Sequence, residues 1–289
     1  MNLYLIQVPY DSGLYNRRMG KGPFGFIESG IVKRLKDNYE FINEIVIESR
    51  EDFSTEIGTT FELLRLVADE VRLSVSKQAF PLILAGNCNT TLGAISGLMP
   101  RNLGLIWFDA HGDYNTPETT TSGFLDAMGL SMITGHCWQT LAKTIPNYCP
   151  LSENRVLLVG TREFDKTEYQ RLENSKINHL TYSELKENIG IKLDTTLEAL
   201  SNKVDQVYVH VDMDVHDANL APANHYKPEG GLTPKEVRYA VNKIAKWFYI
   251  CGASVTAFDP EADNEKRGLH TGAKLIELIC EIVSDQFTR

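Results

Sequence analysis

Short runs of bunched apolar residues alternate along this chain with stretches whose apolar positions recur at helical spacing. The runs Leu3–Val8, Ile42–Ile47, Pro81–Ala85, Gly104–Phe108, Arg155–Val159, Asn178–Thr181, Gln206–Val211 and Ser254–Phe258 predict strands. Several are Val/Ile/Leu-rich without polar alternation, the pattern of strands buried on both faces. Between them, Phe61, Leu64, Leu66, Val67, Val71 and Leu73 fall near helical spacing, as do Ala273, Leu275, Ile276, Ile279, Ile282 and Val283. Thr233-Pro234-Lys235-Glu236 reads as a helix cap with proline at the first helical position. Such alternation predicts an α/β fold with a mainly parallel, about eight-stranded sheet between two helical layers. No repeat, low-complexity tract or Pro/Ser-rich linker interrupts it, so residues 1–289 are expected to form one domain.

Composition narrows the partners. The chain has 29 basic and 38 acidic residues, a formal charge of −9. That balance argues against nucleic acid or an anionic membrane as partner and is compatible with a cationic one. No apolar run approaches the ~18 residues of a membrane helix. The N-terminus lacks a basic segment and reads as a strand, not a signal peptide. Five cysteines without CxxC or regular spacing suit a reduced, cytoplasmic chain.

Two predicted strands run straight into carboxylates. The first continues as Phe108-Asp109-Ala110-His111-Gly112-Asp113, in which alternate residues converge if the backbone stays extended. The second, Val207-Tyr208-Val209-His210-Val211-Asp212-Met213-Asp214, puts its valines and Met213 on one face and His210, Asp212 and Asp214 on the other. Ligands of parallel sheets bind where strands end. Buried carboxylates gathered there repel and protonate unless a cation sits among them, and a pair of divalent metals resolves this. One Asp-x-His-x-Asp alone reads equally well as a solvated loop; two clusters favour metal. Mostly carboxylate oxygen with one imidazole suits Mn²⁺ better than zinc.

Phe108-Asp109-Ala110-His111-Gly112-Asp113-Tyr114-Asn115-Thr116-Pro117 resembles the Asp-Ala-His-x-Asp signature of the arginase (ureohydrolase) superfamily. His210-Val211-Asp212-Met213-Asp214-Val215-His216-Asp217, with Ala221-Pro222 and Gly230-Gly231-Leu232-Thr233, resembles its second signature; Gly20-Lys21-Gly22-Pro23 is similar to its N-terminal turn. The resemblance spans most of the chain. It implies a three-layer α/β/α fold, two Mn²⁺ ions, and hydrolysis of a guanidino C–N bond to urea and an ornithine-type product. Asp109 and Asp212 would bridge the ions, His111 and Asp214 would complete one, and Asp113 would serve the other. Asp113 would also pass a proton to the leaving amine.

Three departures from the family pattern stand out. The usual histidine ligand after Gly-Gly-Asp is Cys88, either a thiolate ligand or a buried inert thiol. The proton-shuttling histidine is Asp126, and the glutamate that pairs with the guanidinium is Ala257. Asp126 or Asp259 is expected to supply the missing carboxylate, Asp259 because it lies two residues along the same predicted strand. His210 is expected one step too deep to ligate, and His225 near the site mouth to contact substrate.

At that mouth the resemblance places Asn115 and Ser122 on the α-carboxylate side of an arginine, and Asp165 and Glu168 on the α-amino side. Phe124 and Tyr226 replace polar or small residues there. An apolar ring gives a free carboxylate no hydrogen bond, so the expected substrate is an arginine whose carboxyl end is blocked, as in a peptide. Alternatives are N-hydroxyarginine hydrolysis, releasing hydroxyurea, and a partner protein with a decayed site. A zinc deacetylase fits less well, because no two histidines are adjacent.

Overall fold

A computed structural model describes residues 1–98 and 102–287. Among the described residues, ten strands run Asn2–Val8 (β1), Tyr10–Asp11 (β2), Leu14–Tyr15 (β3), Glu40–Val46 (β4), Phe80–Ala85 (β5), Leu103–Phe108 (β6), Val156–Thr161 (β7), Asn178–Thr181 (β8), Gln206–Asp212 (β9) and Tyr249–Thr256 (β10). β2 and β3 form a small separate hairpin. The other eight pair in parallel in the order β4-β1-β5-β10-β9-β6-β7-β8. β5, β6 and β7 are buried along their whole length.

Alternating side chains divide the interior into two cores. Leu82, Leu84, Ile106, Phe108, Val207, Val209, Val211 and Val255 face the helices Tyr182–Ser201, Pro234–Trp247 and Arg267–Phe287. Ile83, Leu105, Trp107 and Tyr208 face the helices Glu56–Ser76 and Thr90–Leu98. Each large apolar side chain withdrawn from water contributes roughly 1.5–3 kcal/mol, so strands covered on both sides hold the sheet firmly. The result is the expected three-layer arrangement. Among the described residues, no helix is long and apolar enough to cross a membrane.

Local chemistry sets the helix starts. Thr55 accepts from the Gly58 N–H, and Thr181 with Glu184 and Thr233 with Glu236 form capping boxes, the last with Pro234 in the first turn. The expected strand Ser254–Phe258 needs correction. β10 starts five residues earlier and ends at Thr256, because Ala257 takes φ +59° and turns the chain out of the sheet.

The sheet order brings β5, β10, β9 and β6 side by side, and it is their carboxyl ends that build the site. Register adds the detail. Trp107 pairs with His210 and His210 with Ser254, while Thr256 pairs with Asp212 and Ala85. Beyond β5 the chain threads a narrow gap. A Cβ on Gly86 would lie 2.2 Å from the Tyr10 carbonyl oxygen and 2.7 Å from the Gly20 nitrogen, both backbone atoms that cannot rotate away. Gly86→Ala is therefore expected to cost about 2–3 kcal/mol, as overpacking against fixed atoms does. A denaturant midpoint equal to that of the parent would show that this gap is not tight.

Candidate metal centre

Three of the four strand ends deliver candidate ligands, and the fourth, β10, sets Thr256 beside them. After β5, Cys88 is buried with its Sγ 2.9 Å from Asp212 Oδ2 and 3.1 Å from Thr256 Oγ1. Burial and the surrounding aspartates raise this thiol well above its ordinary value, so it stays protonated unless a cation stabilises the thiolate. After β6, Asp109 accepts from Trp107 Nε1 at 2.8 Å and from the His111 N–H at 2.7 Å. His111 Nδ1 lies 3.3 Å from both Asp109 Oδ1 and Asp214 Oδ2.

Asp113 reaches the same cavity by a route the extended-chain expectation did not foresee. It sits at φ +47°, a left-handed turn that Asp tolerates better than most residues, and its carbonyl accepts from the Leu130 N–H at 2.9 Å. After β9, Asp212 accepts from the Asp214 N–H at 2.7 Å, and Asp214 from the Ala110 N–H at 3.2 Å.

The electrostatics of this group are unbalanced. Burial, then neighbouring aspartates, raises Asp113 and Asp212 well above the carboxylate range and raises Asp109 less far. Burial also opposes the charge on Asp214, but His111 outweighs it and holds Asp214 at about 2. For His111 burial works against the imidazolium, yet Asp214 and Asp109 prevail and raise it well above its usual value. Donor atoms of Asp109, His111 and Asp214 lie within 4.8 Å of one another, and so do those of Cys88, Asp109 and His210. Carboxylates crowded in this way are the surroundings that divalent cations stabilise, so the residues present fit a metal centre.

Cys88, His111, Asp113, Asp212 and Asp214 line a cavity of about 280 Å³, while Asp109 and His210 lie off its wall. The cavity walls include Asn115, Ser122, Phe124, Asp126, Asp165, Glu168, Tyr226 and Ala257, all positions singled out from the sequence. Two expectations need correction. Asp259 is buried outside the cavity, where its carboxylate accepts from the Glu261 N–H at 3.0 Å. The turn at Ala257 breaks the alternation that was to bring it onto that face. His225 is 69% exposed and 3.9 Å from Asp259, also off the cavity wall.

Other wall groups are more tied down than their sequence suggests. Asp126 Oδ2 accepts from the Cys88 N–H and from Asn87 Nδ2, each at 2.9 Å, and Oδ1 accepts from the Asn89 N–H at 2.7 Å. It pins the turn that leads into helix Thr90–Leu98; burial pushes its carboxyl up to about 7 while those donors pull it down. Glu168 accepts from the Tyr114 N–H at 2.8 Å and from the Asp165 N–H at 3.4 Å, as the partner in a capping box. Asn115 Nδ2 donates to Asp165 at 3.3 Å. The Phe124 ring stacks on Tyr226, centroids 5.8 Å apart.

Met19, Thr121, Ala127, Glu163, Phe164 and Asn224 also line the cavity and were not anticipated. Asn224 holds the rim by donating to the Ala257 carbonyl at 3.0 Å and accepting from the Tyr226 N–H at 2.8 Å. Arg162, three residues before Asp165, acts from behind the site. Its guanidinium donates to the Asp214 carbonyl at 2.8 Å and the His216 carbonyl at 3.3 Å, fixing the turn after β9. Only the contacts reveal this, since a lone arginine after a buried strand has no periodic signature.

A model of the arginase family matches residues 1–281. The chain belongs to the arginase family. It is 28% identical to an arginase of Staphylococcus aureus (strain MRSA252) over 95% of this chain and 94% of that one. Solved arginases from Bacillus cereus and Bacillus caldovelox superpose with TM-scores of 0.88 and 0.86 at 25% and 26% identity. The first pairing covers 98% of both chains and the second 97% of both. Membership makes this a metal-dependent ureohydrolase acting on C–N bonds.

The hydrogen bonds of Asp126 generate a stability prediction. Asp126→Ala would leave the Cys88 and Asn89 backbone N–H groups without their acceptor and leave the Asn87 amide only Asp11, at roughly 1–3 kcal/mol for each group left buried and unpaired. The expected loss is about 3 kcal/mol, with Asp126→Asn retaining part of it. Thermal melting equal to that of the parent in both variants would exclude this bracing of the turn.

Proposed function

We propose that this arginase-family enzyme hydrolyses the guanidinium group of an arginine whose carboxyl end is blocked, with peptide-borne arginine the leading case. The observation that carries this reading is the charge of the cavity. Seven carboxyl residues line it (Asp113, Asp126, Glu163, Asp165, Glu168, Asp212 and Asp214), and among the described residues no lysine or arginine does. Such a wall suits a cation and offers a free α-carboxylate no counter-charge. On the carboxylate side Asn115 already donates to Asp165, and the stacked rings of Phe124 and Tyr226 bring no positive charge.

Asp109, His111, Asp113, Asp212 and Asp214, with Cys88, would hold two divalent cations; for the oxygen-rich group manganese fits best. When bound, such ions supply the Lewis acidity that makes water nucleophilic near neutral pH. Asp113 carries a proton from the attacking water to the leaving nitrogen, so the guanidinium carbon departs as urea and the side chain remains as an amine. Asp165 faces the backbone nitrogen side of the arginine, while Phe124 and Tyr226 pack on its blocked carboxyl end and exclude water.

A second reading has its own support. Ala257 leaves the cavity wall without a carboxylate where a fully basic guanidinium would pair, and Asp259 does not replace it. N-hydroxyarginine is less basic and needs that pairing less.

Two tests follow. Asp109→Ala or Asp212→Ala should lower urea release by more than about a thousandfold, the several kcal/mol that metal activation contributes. Either should also reduce thermal stability in metal-replete buffer, and full activity in either variant would rule the metal assignment out. Comparing kcat/KM for free arginine, its C-terminal amide, a blocked arginine peptide and N-hydroxyarginine separates the substrates. The amide and peptide should lead by about tenfold or more, given roughly 1–3 kcal/mol for an unpaired charge. A preference for the free acid would overturn the blocked-carboxyl reading, and hydroxyurea release from N-hydroxyarginine as the fastest reaction would establish the second one.

A further inference from the structure

A histidine lies beneath the carboxylates in a place where packing alone leaves it incompletely satisfied. His210 is fully buried on β9, its ring stacked on Trp107 with centroids 3.8 Å apart. Its Nδ1 lies 2.8 Å from Thr91 Oγ1 and 2.9 Å from Ser254 Oγ, whereas Nε2 has only a long hydrogen-bond contact, to Thr256 Oγ1 at 3.5 Å. A contact that long weakly offsets the cost of burying a ring nitrogen. A ring nitrogen of His210, the Cys88 sulfur and a carboxylate oxygen of Asp109 lie within 4.8 Å of one another, and Asp212 Oδ2 is 2.9 Å from that sulfur.

This donor set differs in kind from the outer one. Asp109, His111 and Asp214 offer mostly carboxylate oxygen, which suits manganese. A thiolate, an imidazole and carboxylates offer softer donors, which select zinc. We propose that Cys88, His210 and Asp109, with Asp212, form a deep zinc site beside the outer manganese position, so that the native centre holds two different metals. The two hydroxyls at Nδ1 supply what a metal-binding histidine needs: an acceptor for one ring N–H, which leaves the other nitrogen's lone pair to the ion. Zinc bonds of about 2.0–2.3 Å require the donors to draw together by roughly 1 Å, within reach of side-chain rotation. The proposal revises the expectation that His210 lies too deep to ligate. It rests on the reading that this end of the sheet holds metal, and zinc content is measured apart from urea release so that the two can fail separately.

The test is elemental analysis of enzyme purified from medium containing both metals and dialysed against a weak chelator. About one zinc per chain is expected, falling below about one tenth in Cys88→Ser and His210→Gln, since lost ligation weakens binding by tenfold to a hundredfold or more. Manganese content should persist in both variants. Cobalt substitution should give a sulfur-to-metal charge-transfer band that disappears in Cys88→Ser and shifts in His210→Gln. Wild-type enzyme that takes manganese at both positions with zinc present would overturn the proposal, as would a His210→Gln protein with unchanged zinc content and cobalt spectrum. Should a variant fail to fold, zinc-edge absorption on the wild type decides: sulfur and imidazole in the shell support the site, and their absence overturns it. Zinc bound as proposed without urea release from any arginine derivative would overturn the functional reading and leave the deep site standing.

Discussion

Four buried aspartates and a buried thiol at one end of the sheet are mutually repulsive, and the rest of the molecule is arranged around that repulsion. Asp109, Asp113 and Asp212 are all raised by burial and then by neighbouring aspartates, while Asp214, beside His111, is held low. Without cations the cluster keeps protons it would lose in water. With two divalent ions the four carboxylates are balanced in charge. Metal binding must therefore release protons, and the affinity of the site falls as the pH falls.

Holding such groups together requires a frame that does not relax. Strands covered on both faces supply it, and the turns beyond them are pinned individually. Asp126 caps the turn that carries Cys88, Arg162 grips the carbonyls after Asp214, and Gly86 lets the backbone pass against Tyr10 and Gly20. These groups shape the centre by fixing backbone, whatever part they take in the chemistry. Asp126 is the clearest case: a carboxylate receiving three hydrogen bonds is poorly placed to swing toward a substrate.

The fold was legible because its signals are local. Bunched apolar runs marked the eight strands of the main sheet, and the facing of Val207, Val209, Val211 and Met213 away from Asp212 follows from the two-residue period. What escaped depended on contacts between distant segments or on an unannounced turn. Ala257 adopts a left-handed conformation without being Gly or Asn, so nothing in the sequence ended β10 there, and Asp259 was placed on the wrong face. The depth of His210 depends on its register with Trp107 and Ser254, from strands 103 and 44 residues away, which no pattern within β9 encodes. The candidate metal groups were legible as types; their partners were not.

The same separation bears on specificity. Once cations balance the four aspartates, the acids that remain along the wall are Asp126, Glu163, Asp165 and Glu168. Asp126 and Glu168 already accept backbone N–H groups and Asp165 accepts from Asn115 and Thr121, which leaves the exposed Glu163 freest to meet a cationic ligand, with Asp165 beside it. Both lie in the segment after β7, next to Phe164, and Glu163 also stands 3.9 Å from His111 Nε2. With Ala257 offering no charge, the acids left uncommitted by the proposed cations include the pair in the segment after β7. The cavity rim is aromatic on one side, at Phe124 and Tyr226, and acidic on the other. A ligand that matches it carries a positive or hydrogen-bond-donating nitrogen on one flank and an uncharged planar group, such as an amide, on the other.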